Sequence, residues 1–336
     1  MTGADAAVAA AMATLDGRYY RYDGDAKLQQ TSSLPAMACL AAAADVSAGM
    51  CVLEVGTGSG YTGALLSQLV GPTGRVTSLD IDGALTDRAR RLHLGAGRDN
   101  IVALCADGYA GHVAGGPYDR VLAWTCPPEL PRPWLDQCAP GAVVVTPLPV
   151  SVATRRSLTF VIDAGASTPQ VRSVIDGSFV GFHGPAGFDV SLLATPATVT
   201  LDDTPDRYTA LAAPALGRPE SLAALRSLDA QAGTHLLDAP NDWLRWWVLA
   251  SAADFPADGA VGDGEPVVGL ARPGSVAVVS LVTGALRTTG SCWASRELAG
   301  IAAAWVTAGR PGPEALVGTL TAAKGGWDAQ VAIRQA

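Results

Sequence analysis

A run of alternating glycines is the part of this sequence best suited to hold a small molecule. Residues 51–55 read CVLEV, an apolar run typical of a buried parallel strand, with Glu54 near its end. The candidate ligand-binding residues that follow are Gly56, Thr57, Gly58, Ser59, Gly60 and Tyr61. Glycines at alternate positions let the backbone turn sharply beside a ligand, and the helix predicted from Tyr61 offers free N–H groups.

Two classes of cofactor use such a loop. A dinucleotide site has the spacing G-x-G-x-x-G directly after the strand, but counted from Gly56 the third glycine would fall on Tyr61. The stretch from Gly58 to Gly63 has the right spacing but starts too late. An acid at Glu54 suits S-adenosylmethionine instead, because its sulfonium and ammonium groups are cationic and it carries no pyrophosphate. The residues favour this methyl donor, and a nicotinamide-dependent oxidoreductase is the alternative.

Acidic residues also follow the next two predicted strands. Asp80 and Ile81 end the second strand, where an acid in a doubly wound fold accepts the ribose hydroxyls, and Asp82 is a competing candidate. Asp107 and Gly108 follow the third strand, within reach of an adenine amino group. The alternative is purely structural: the glycines make a tight turn and the acids cap helices. Acids at the ends of three consecutive strands favour a single cofactor crevice.

The elements that position these residues alternate between strands and helices. Strands are predicted at 51–55, 75–81, 100–106, 118–124 and 142–148, with edge strands at 156–162 and 171–176. This alternation predicts an α/β fold with a doubly wound, mostly parallel sheet. The pattern then changes to that of a C-terminal α+β accessory domain, so we predict two domains, 1–190 and 191–336.

Several motifs together resemble the protein-L-isoaspartate O-methyltransferase family. They are VLEVGTGSGYTGALLSQLVG, RVTSLDID, ADG, PYDRVLAW and PPELPRPWLDQCAPGAVVVTPL. The segment Thr31-Ser32-Ser33-Leu34-Pro35 is similar to the family's T-x-S-x-P signature. The resemblance covers roughly residues 28–150. It implies the Rossmann-like fold of class I methyltransferases, with S-adenosyl-L-methionine as cofactor and S-adenosyl-L-homocysteine as product.

The resemblance also implies what the upstream segment does. Ser33 is the expected catalytic residue, beside the substrate carboxylate. The residues expected to bind the substrate are Thr31, Ser32, Leu34, Pro35 and Trp124. Trp124 is expected either to pack on the substrate or adenosine, or to close the top of the sheet. The carboxylate is ionised at neutral pH and needs no general base, so catalysis is by positioning. The methyl ester is then expected to collapse to a succinimide (an aspartimide), which hydrolyses to aspartate or isoaspartate.

Two departures from the family pattern bear on the substrate. Ala36 and Ala38 stand where many members have histidines, and the chain continues well beyond the sheet, where repair enzymes are expected to end. This extended architecture resembles the branch that tailors ribosomally synthesised peptides (RiPP biosynthesis), which implies a cyclised precursor peptide as substrate. General isoaspartyl repair is the alternative, and a non-catalytic binding protein of the same fold is the third hypothesis. Trp243, Trp246 and Trp247 share a helical face, which favours core packing over a peptide anchor.

Composition argues against several other classes of protein. The formal net charge is −8 and the basic residues are scattered, so no nucleic-acid partner is expected. The six cysteines and four histidines lack metal-ligand spacing, so no metal site is expected. We find no signal peptide and no apolar run of about 18 residues, so we expect a cytoplasmic protein with no membrane partner. The sequence leaves the oligomeric state open.

Overall fold

The chain folds into two compact units. The computed structural model describes residues 2–150, 157–165, 168–175, 198–204, 207–252, 254–261 and 264–334. The first unit holds the chain up to Pro149, the strands between residues 157 and 175, and Gly318–Gln330; the second holds most of residues 198–317. The domain limit between residues 190 and 191 lies outside the described residues and stays a prediction.

The first unit alternates helices and strands. Its elements are α1 (Gly3–Thr14), α2 (Gly17–Arg21), β1 (Tyr22–Asp23), β2 (Ala26–Lys27), α3 (Leu34–Ala44), β3 (Cys51–Val55), α4 (Tyr61–Val70), β4 (Arg75–Asp80), α5 (Gly83–Gly95), β5 (Ile101–Cys105), β6 (Tyr118–Ala123), β7 (Leu130–Pro131), α6 (Arg132–Asp136), β8 (Cys138–Pro149), β9 (Ser157–Asp163) and β10 (Gln170–Ile175). The main sheet has the order β10-β9-β8-β6-β3-β4-β5. All its neighbours pair in parallel except β9 and β10, which are antiparallel at one edge. The predicted doubly wound, mostly parallel sheet is confirmed, with its two edge strands.

The central strands are apolar because helices cover the sheet. Val52, Leu53 and Val55 of β3 are almost completely buried, as expected for a strand with both faces covered. Leu40 of α3 and Leu65 of α4 belong to the hydrophobic cluster that packs against these strands. Because β3, β4 and β5 are parallel neighbours, their carboxyl ends meet at one edge of the sheet, and the candidate site forms there.

The second unit is built on an antiparallel sheet. Its elements are β11 (Thr198–Thr204), β12 (Arg207–Ala212), α7 (Arg218–Asp229), β13 (Thr234–His235), α8 (Asp242–Ser251), β14 (Pro256–Val261), β15 (Glu265–Arg272), β16 (Ser275–Ser280), β17 (Ala285–Gly290) and α9 (Trp293–Thr307). The strand order is β11-β12-β14-β15-β16-β17-β13. Along β15, Val267 and Ala271 join the core that includes α7, so the alternating Val268 and Leu270 are buried on the opposite face. Helices α8 and α9 pack together and against β15, which agrees with the predicted α+β character.

The last two strands form a hairpin that belongs largely to the first unit. Strands β18 (Leu316–Ala322) and β19 (Gly326–Ile333) make a small sheet with β7. Gly326 pairs with Pro131 and Trp327 with Leu130. The chain therefore returns to the methyltransferase-like unit after completing the second one. Within the described part of the chain, no helix has both the length and the apolar character needed to cross a membrane.

Candidate active site

The glycine-rich loop joins β3 to α4 in a backbone conformation that favours glycine. Gly56, Gly58 and Gly60 have φ values of +97°, +50° and +81°, in the left-handed region that other residues rarely adopt. The N–H groups of Gly56 and Thr57 donate to the carbonyl of Leu79, at 2.8 and 3.1 Å. The turn itself therefore requires these glycines, and the loop is tied to β4.

Two segments that are distant in sequence lie directly against this loop. The carbonyl oxygen of Gln30 accepts a hydrogen bond from Ser59 N at 3.2 Å. The same oxygen lies 2.6 Å from the place where a Cβ at Gly58 would stand. A Cβ at Gly56 would lie 3.3 Å from Thr125 Cγ2. The fold thus brings the upstream segment and the segment after β6 to the same glycine loop.

Glu54 lies beneath the loop and has no exposed surface. Ser78 Oγ donates to Glu54 Oε2 at 2.5 Å, and Trp124 Nε1 donates to Oε1 at 2.9 Å. Burial raises the pKa of this carboxyl to about 7, although hydrogen bonds from Ser78, Thr62 and Trp124 act to lower it. Ser78 Oγ also shares a 2.7 Å hydrogen bond with Thr57 Oγ1 in the loop. We infer that Glu54 supports the cofactor loop from below, because its oxygens are engaged by internal donors.

Trp124 and Cys126, which follow β6, are both largely shielded from solvent. Trp124 is only 6% exposed and its indole nitrogen bonds Glu54. This favours the interpretation that Trp124 closes the top of the sheet. Burial raises the pKa of the Cys126 thiol to about 11, so it is not a ready nucleophile at neutral pH.

The two aspartates at the end of β4 have different partners. Asp80 Oδ2 accepts from Gly58 N at 2.9 Å, and Oδ1 accepts from Asp82 N at 3.0 Å. Asp82 Oδ1 instead accepts from Ala84 N and Leu85 N, so it is the N-cap of α5. Asp80 therefore faces the glycine loop, whereas Asp82 faces the start of α5 as its N-cap.

Asp107 and Gly108 form the start of a short turn after β5. Asp107 is exposed, and its Oδ1 accepts from Tyr109 N at 2.9 Å. Gly108 is buried, and its carbonyl accepts from Trp134 Nε1 at 2.8 Å. The second carboxylate oxygen of Asp107 has no described protein donor, which leaves it available to a ligand amino group. Ile81, at the end of β4, is 37% exposed at the same edge.

Ser33 is the N-cap of α3, and its Oγ accepts from Ala36 N at 3.3 Å. The residues of this upstream segment that are exposed are Ser33, Leu34 and Pro35, whereas Thr31 and Ser32 are half-buried. Because Ser33 Oγ accepts a bond as the cap, its O–H remains able to donate to an anion at the helix start. The capping role and the carboxylate-binding role are compatible in one residue.

Two buried hydroxyls beside the loop lack a hydrogen-bond partner among the described residues. They are Oγ1 of Thr31, the residue after Gln30, and Oγ1 of Thr125, whose methyl group lies against Gly56. A buried hydroxyl without a partner is unfavourable, so groups of this kind mark places where a ligand or water completes the bonding. Thr125 was not predicted as a site residue, because a threonine after a strand carries no distinctive pattern. Both hydroxyls fit a polar ligand held over the glycine loop.

His93 packs behind the loop as a neutral ring. The distance from His93 Cε1 to the place that a Cβ at Gly60 would occupy is 3.6 Å. The ring centroids of His93 and Tyr20 are 5.6 Å apart. Neither ring nitrogen has a hydrogen-bond partner in the part of the chain that is described. Burial, with a smaller contribution from Arg98, lowers the pKa of His93 to about 4. The described residues contain no cluster of side chains that could hold a metal ion.

Comparison with known proteins shows what this chain is similar to. Residues 11–181, just over half of the chain, match the family described as protein-L-isoaspartate(D-aspartate) O-methyltransferase. Protein-L-isoaspartate O-methyltransferase 2 of Archaeoglobus fulgidus is 36% identical over 124 residues, and the enzyme of that name from Ignicoccus hospitalis is 38% identical over 120 residues. These alignments cover 37% and 35% of this chain, and 57% of each relative. The chain thus spans little more than half the length of these curated relatives.

A solved structure named protein-L-isoaspartate O-methyltransferase aligns over 97% of this chain and 94% of its own, with a TM-score of 0.51 and 20% identity. The fold likeness and the family match confirm the predicted class I methyltransferase fold and S-adenosylmethionine as the cofactor. A protein of that name therefore shares the fold of nearly the whole chain.

Proposed function

We propose that this chain, which belongs to the protein-L-isoaspartate(D-aspartate) O-methyltransferase family, methylates an aspartyl or isoaspartyl carboxylate in a peptide. The observation that supports this most directly is the meeting of two segments. Gln30, three residues before Ser33, bonds the glycine loop at Ser59. The segment that leads to the serine proposed to hold the carboxylate is therefore bonded, at Gln30, to the loop proposed to hold the methyl donor.

The residues present fit S-adenosylmethionine, which supplies an electrophilic methyl group when it is bound. Asp80 would accept the ribose hydroxyls, since its carboxylate already faces the loop at Gly58 N. Asp107 would accept the adenine amino group through its free oxygen. The unpaired hydroxyls of Thr31 and Thr125 would gain a partner. The loop has no pyrophosphate to bind, which agrees with its departure from the dinucleotide spacing.

The chain's own residues contribute positioning rather than proton transfer. A side-chain carboxylate is ionised at neutral pH, so no general base is required. The O–H of Ser33, at the start of α3, would hold one carboxylate oxygen in line with the methyl donor. The resulting ester would be attacked by the backbone nitrogen of the next residue, which forms the succinimide and releases methanol. Hydrolysis of the succinimide would then give aspartate or isoaspartate.

The finer proposal is that the substrate is a cyclised precursor peptide in RiPP biosynthesis. It rests on Ala36 and Ala38, which replace the histidines of many family members at the start of α3. Ala36, in the first turn of α3, is smaller than a histidine and would leave more room beside Ser33 for a constrained ring, whereas Ala38 packs against the core. General isoaspartyl repair stays the alternative, because the C-terminal extension does not separate the two.

We also propose that the second unit recognises the peptide. The three tryptophans of α8 differ in burial: Trp246 is 6% exposed and lies in the core, whereas Trp243 and Trp247 are half-buried. Trp247 lines a cleft of about 480 Å³ with Arg296 and Ile301 of α9. A half-buried tryptophan beside an arginine is the kind of pair that anchors peptides.

The test measures methyl transfer from labelled S-adenosylmethionine to three peptides. These are a linear isoaspartyl peptide, the same peptide with aspartate, and a macrocyclic peptide with aspartate. Mass spectrometry follows the gain of a methyl group and the later loss of methanol. Transfer to the macrocycle alone would support tailoring, and efficient turnover of varied linear isoaspartyl peptides would establish repair instead. Normal binding of S-adenosylhomocysteine without transfer to any carboxylate would overturn the proposed activity in favour of a binding protein.

A further inference from the structure

The C-terminal hairpin contacts the turn at which the adenine group is expected. Tyr109, two residues after Asp107, donates from Oη to Glu129 Oε1 at 2.7 Å and lies 3.4 Å from the carbonyl oxygen of Gly325. Gly325 is in the turn between β18 and β19 and belongs to the first compact unit. Burial, followed by the effects of Glu129, raises the pKa of Tyr109 to about 12, so the phenol remains a hydrogen-bond donor at neutral pH.

The hairpin turn is fixed relative to this pair by backbone contacts. The carbonyl of Gly325 accepts from Arg132 N at 3.2 Å, and Gly326 pairs with Pro131 of β7. Ala323 N donates to Gly326 O at 2.9 Å and closes the turn. The hairpin is thus attached to the segment that carries Glu129.

Position 325 requires glycine because a side chain would clash with its neighbours, and not because of its backbone conformation. A Cβ at this position would overlap Glu129 Oε1 and would lie 2.7 Å from Tyr109 Oη. Its φ is not in the left-handed region, so a larger residue here acts by displacing these two side chains. The neighbouring Lys324 is exposed and provides a control at the next position of the same turn.

The backbone beside Asp107 is held from another direction. Trp134 Nε1 donates to Gly108 O, and Gln137 Nε2 donates to Ala110 O, both at 2.8 Å. These bonds define the path of the turn, whereas the bonds of Glu129 and Gly325 define where the Tyr109 ring lies.

We propose that the hairpin turn Ala323–Gly326 is a positioning element for the adenine side of the cofactor site. It holds Glu129 and the ring of Tyr109 so that they form a wall beside Asp107, which favours an adenine amino group over other substituents. The proposal rests on the proposed function in one respect, the assignment of Asp107 to adenine. It makes Tyr109, Glu129 and Gly325 positioning residues for the cofactor, although Gly325 is more than 200 residues from Asp107 in sequence.

The experiment compares two ligands on the full-length chain by isothermal titration calorimetry. S-adenosyl-L-homocysteine carries the adenine amino group, and S-inosyl-L-homocysteine has a carbonyl oxygen in its place. The variants are Gly325→Val, which displaces the pair, and Tyr109→Phe, which keeps the ring but removes the hydrogen bond. Lys324→Ala is the matched control. Circular dichroism and thermal unfolding without ligand report whether each variant is folded.

Wild-type protein and Lys324→Ala are expected to bind the adenosyl ligand more tightly than the inosyl ligand by the same ratio. Gly325→Val and Tyr109→Phe are expected to lower that ratio roughly three- to tenfold, because Tyr109 and Glu129 are then no longer held beside Asp107; a tenfold change in the ratio corresponds to about 1.4 kcal/mol. A purely structural role would shift thermal unfolding but leave the ratio unchanged.

An unchanged ratio in both folded variants overturns the proposal, as does a wild-type protein that does not discriminate between the ligands. If Gly325→Val fails to fold, Tyr109→Phe decides the matter. Failure of the wild-type protein to bind S-adenosylhomocysteine at all would refute the cofactor assignment rather than the role of the hairpin.

Discussion

The buried carboxyl of Glu54 makes stability depend on pH in a way that one substitution should remove. Glu54→Gln replaces the carboxyl by a neutral amide of the same shape. The amide oxygen can accept from Trp124 Nε1, and the amide nitrogen can donate to Ser78 Oγ. Ser78 can then donate to Thr57, since either hydroxyl of that pair is able to act as the donor. The variant is therefore expected to keep the packing beneath the loop.

The magnitude follows from the difference in pKa between the folded and unfolded states. The ordinary pKa of 4.5 applies in the unfolded chain, and burial raises it to about 7 in the folded protein. Protonation of Glu54 thus stabilises the folded state. This contribution to the free energy of unfolding is complete at pH values below the pKa of Glu54 in the unfolded chain, and it is lost as the pH rises through about 7. A difference of 2.5 in pKa corresponds to about 3 kcal/mol. Most of it is expected to be lost between about pH 5 and about pH 8.

The assay is urea denaturation of both proteins across that range of pH, without cofactor. The free energy of unfolding of Glu54→Gln, relative to wild type, is expected to rise by about 2 to 3 kcal/mol from the acidic to the alkaline end. Glu297→Gln, on the exposed surface of α9, controls for the substitution itself. Parallel pH profiles for wild type and Glu54→Gln would refute the reasoning, because the buried carboxyl would then titrate as it does in the unfolded chain.

Three further predictions test individual site residues. Asp80→Asn is expected to weaken S-adenosylhomocysteine binding about tenfold, measured by calorimetry. The control Asp82→Asn alters only a helix cap and should leave that affinity nearly unchanged. Equal losses of affinity would contradict the assignment of Asp80 to the ribose. Ser33→Ala removes a helix cap and should lose about 1 kcal/mol of stability, together with most methyl transfer. The control Asn241→Ala removes the comparable cap of α8 and should lose stability alone. Retained methyl transfer in Ser33→Ala would contradict the proposed role of Ser33. Burial lowers the pKa of His93 from 6.5 to about 4, so the free energy of unfolding should fall by about 3 kcal/mol as the pH drops through this interval. His93→Leu should flatten the acidic side of the plot of unfolding free energy against pH. An unchanged plot would show that His93 does not cause the acid sensitivity.

The parts of the site that could be predicted lie in continuous stretches of sequence. The run from Glu54 to Tyr61 contains both the strand and the turn, so residue types alone predict its conformation, and the left-handed φ values of its glycines agree. The acids at Asp80 and Asp107 were predictable because parallel strands place their carboxyl ends together whatever the details of packing. Helix α7 has no clear signal in the sequence, because it lies in a segment dotted with proline and aspartate. Its proline is in the first turn, where a missing N–H is tolerated.

The sequence by itself determined the fold class, the glycine-rich turn and the order of the acids, because these depend on local periodicity and on spacing along one chain. The tertiary structure decided which distant groups meet. Gln30 reaches the glycine loop, the Trp124 indole turns inward to Glu54, and the hairpin returns to Tyr109. None of these contacts has a sequence pattern, since each depends on packing between segments separated by many residues. Such contacts form only where burial and hydrogen-bond geometry are satisfied together, and this is settled by the whole fold.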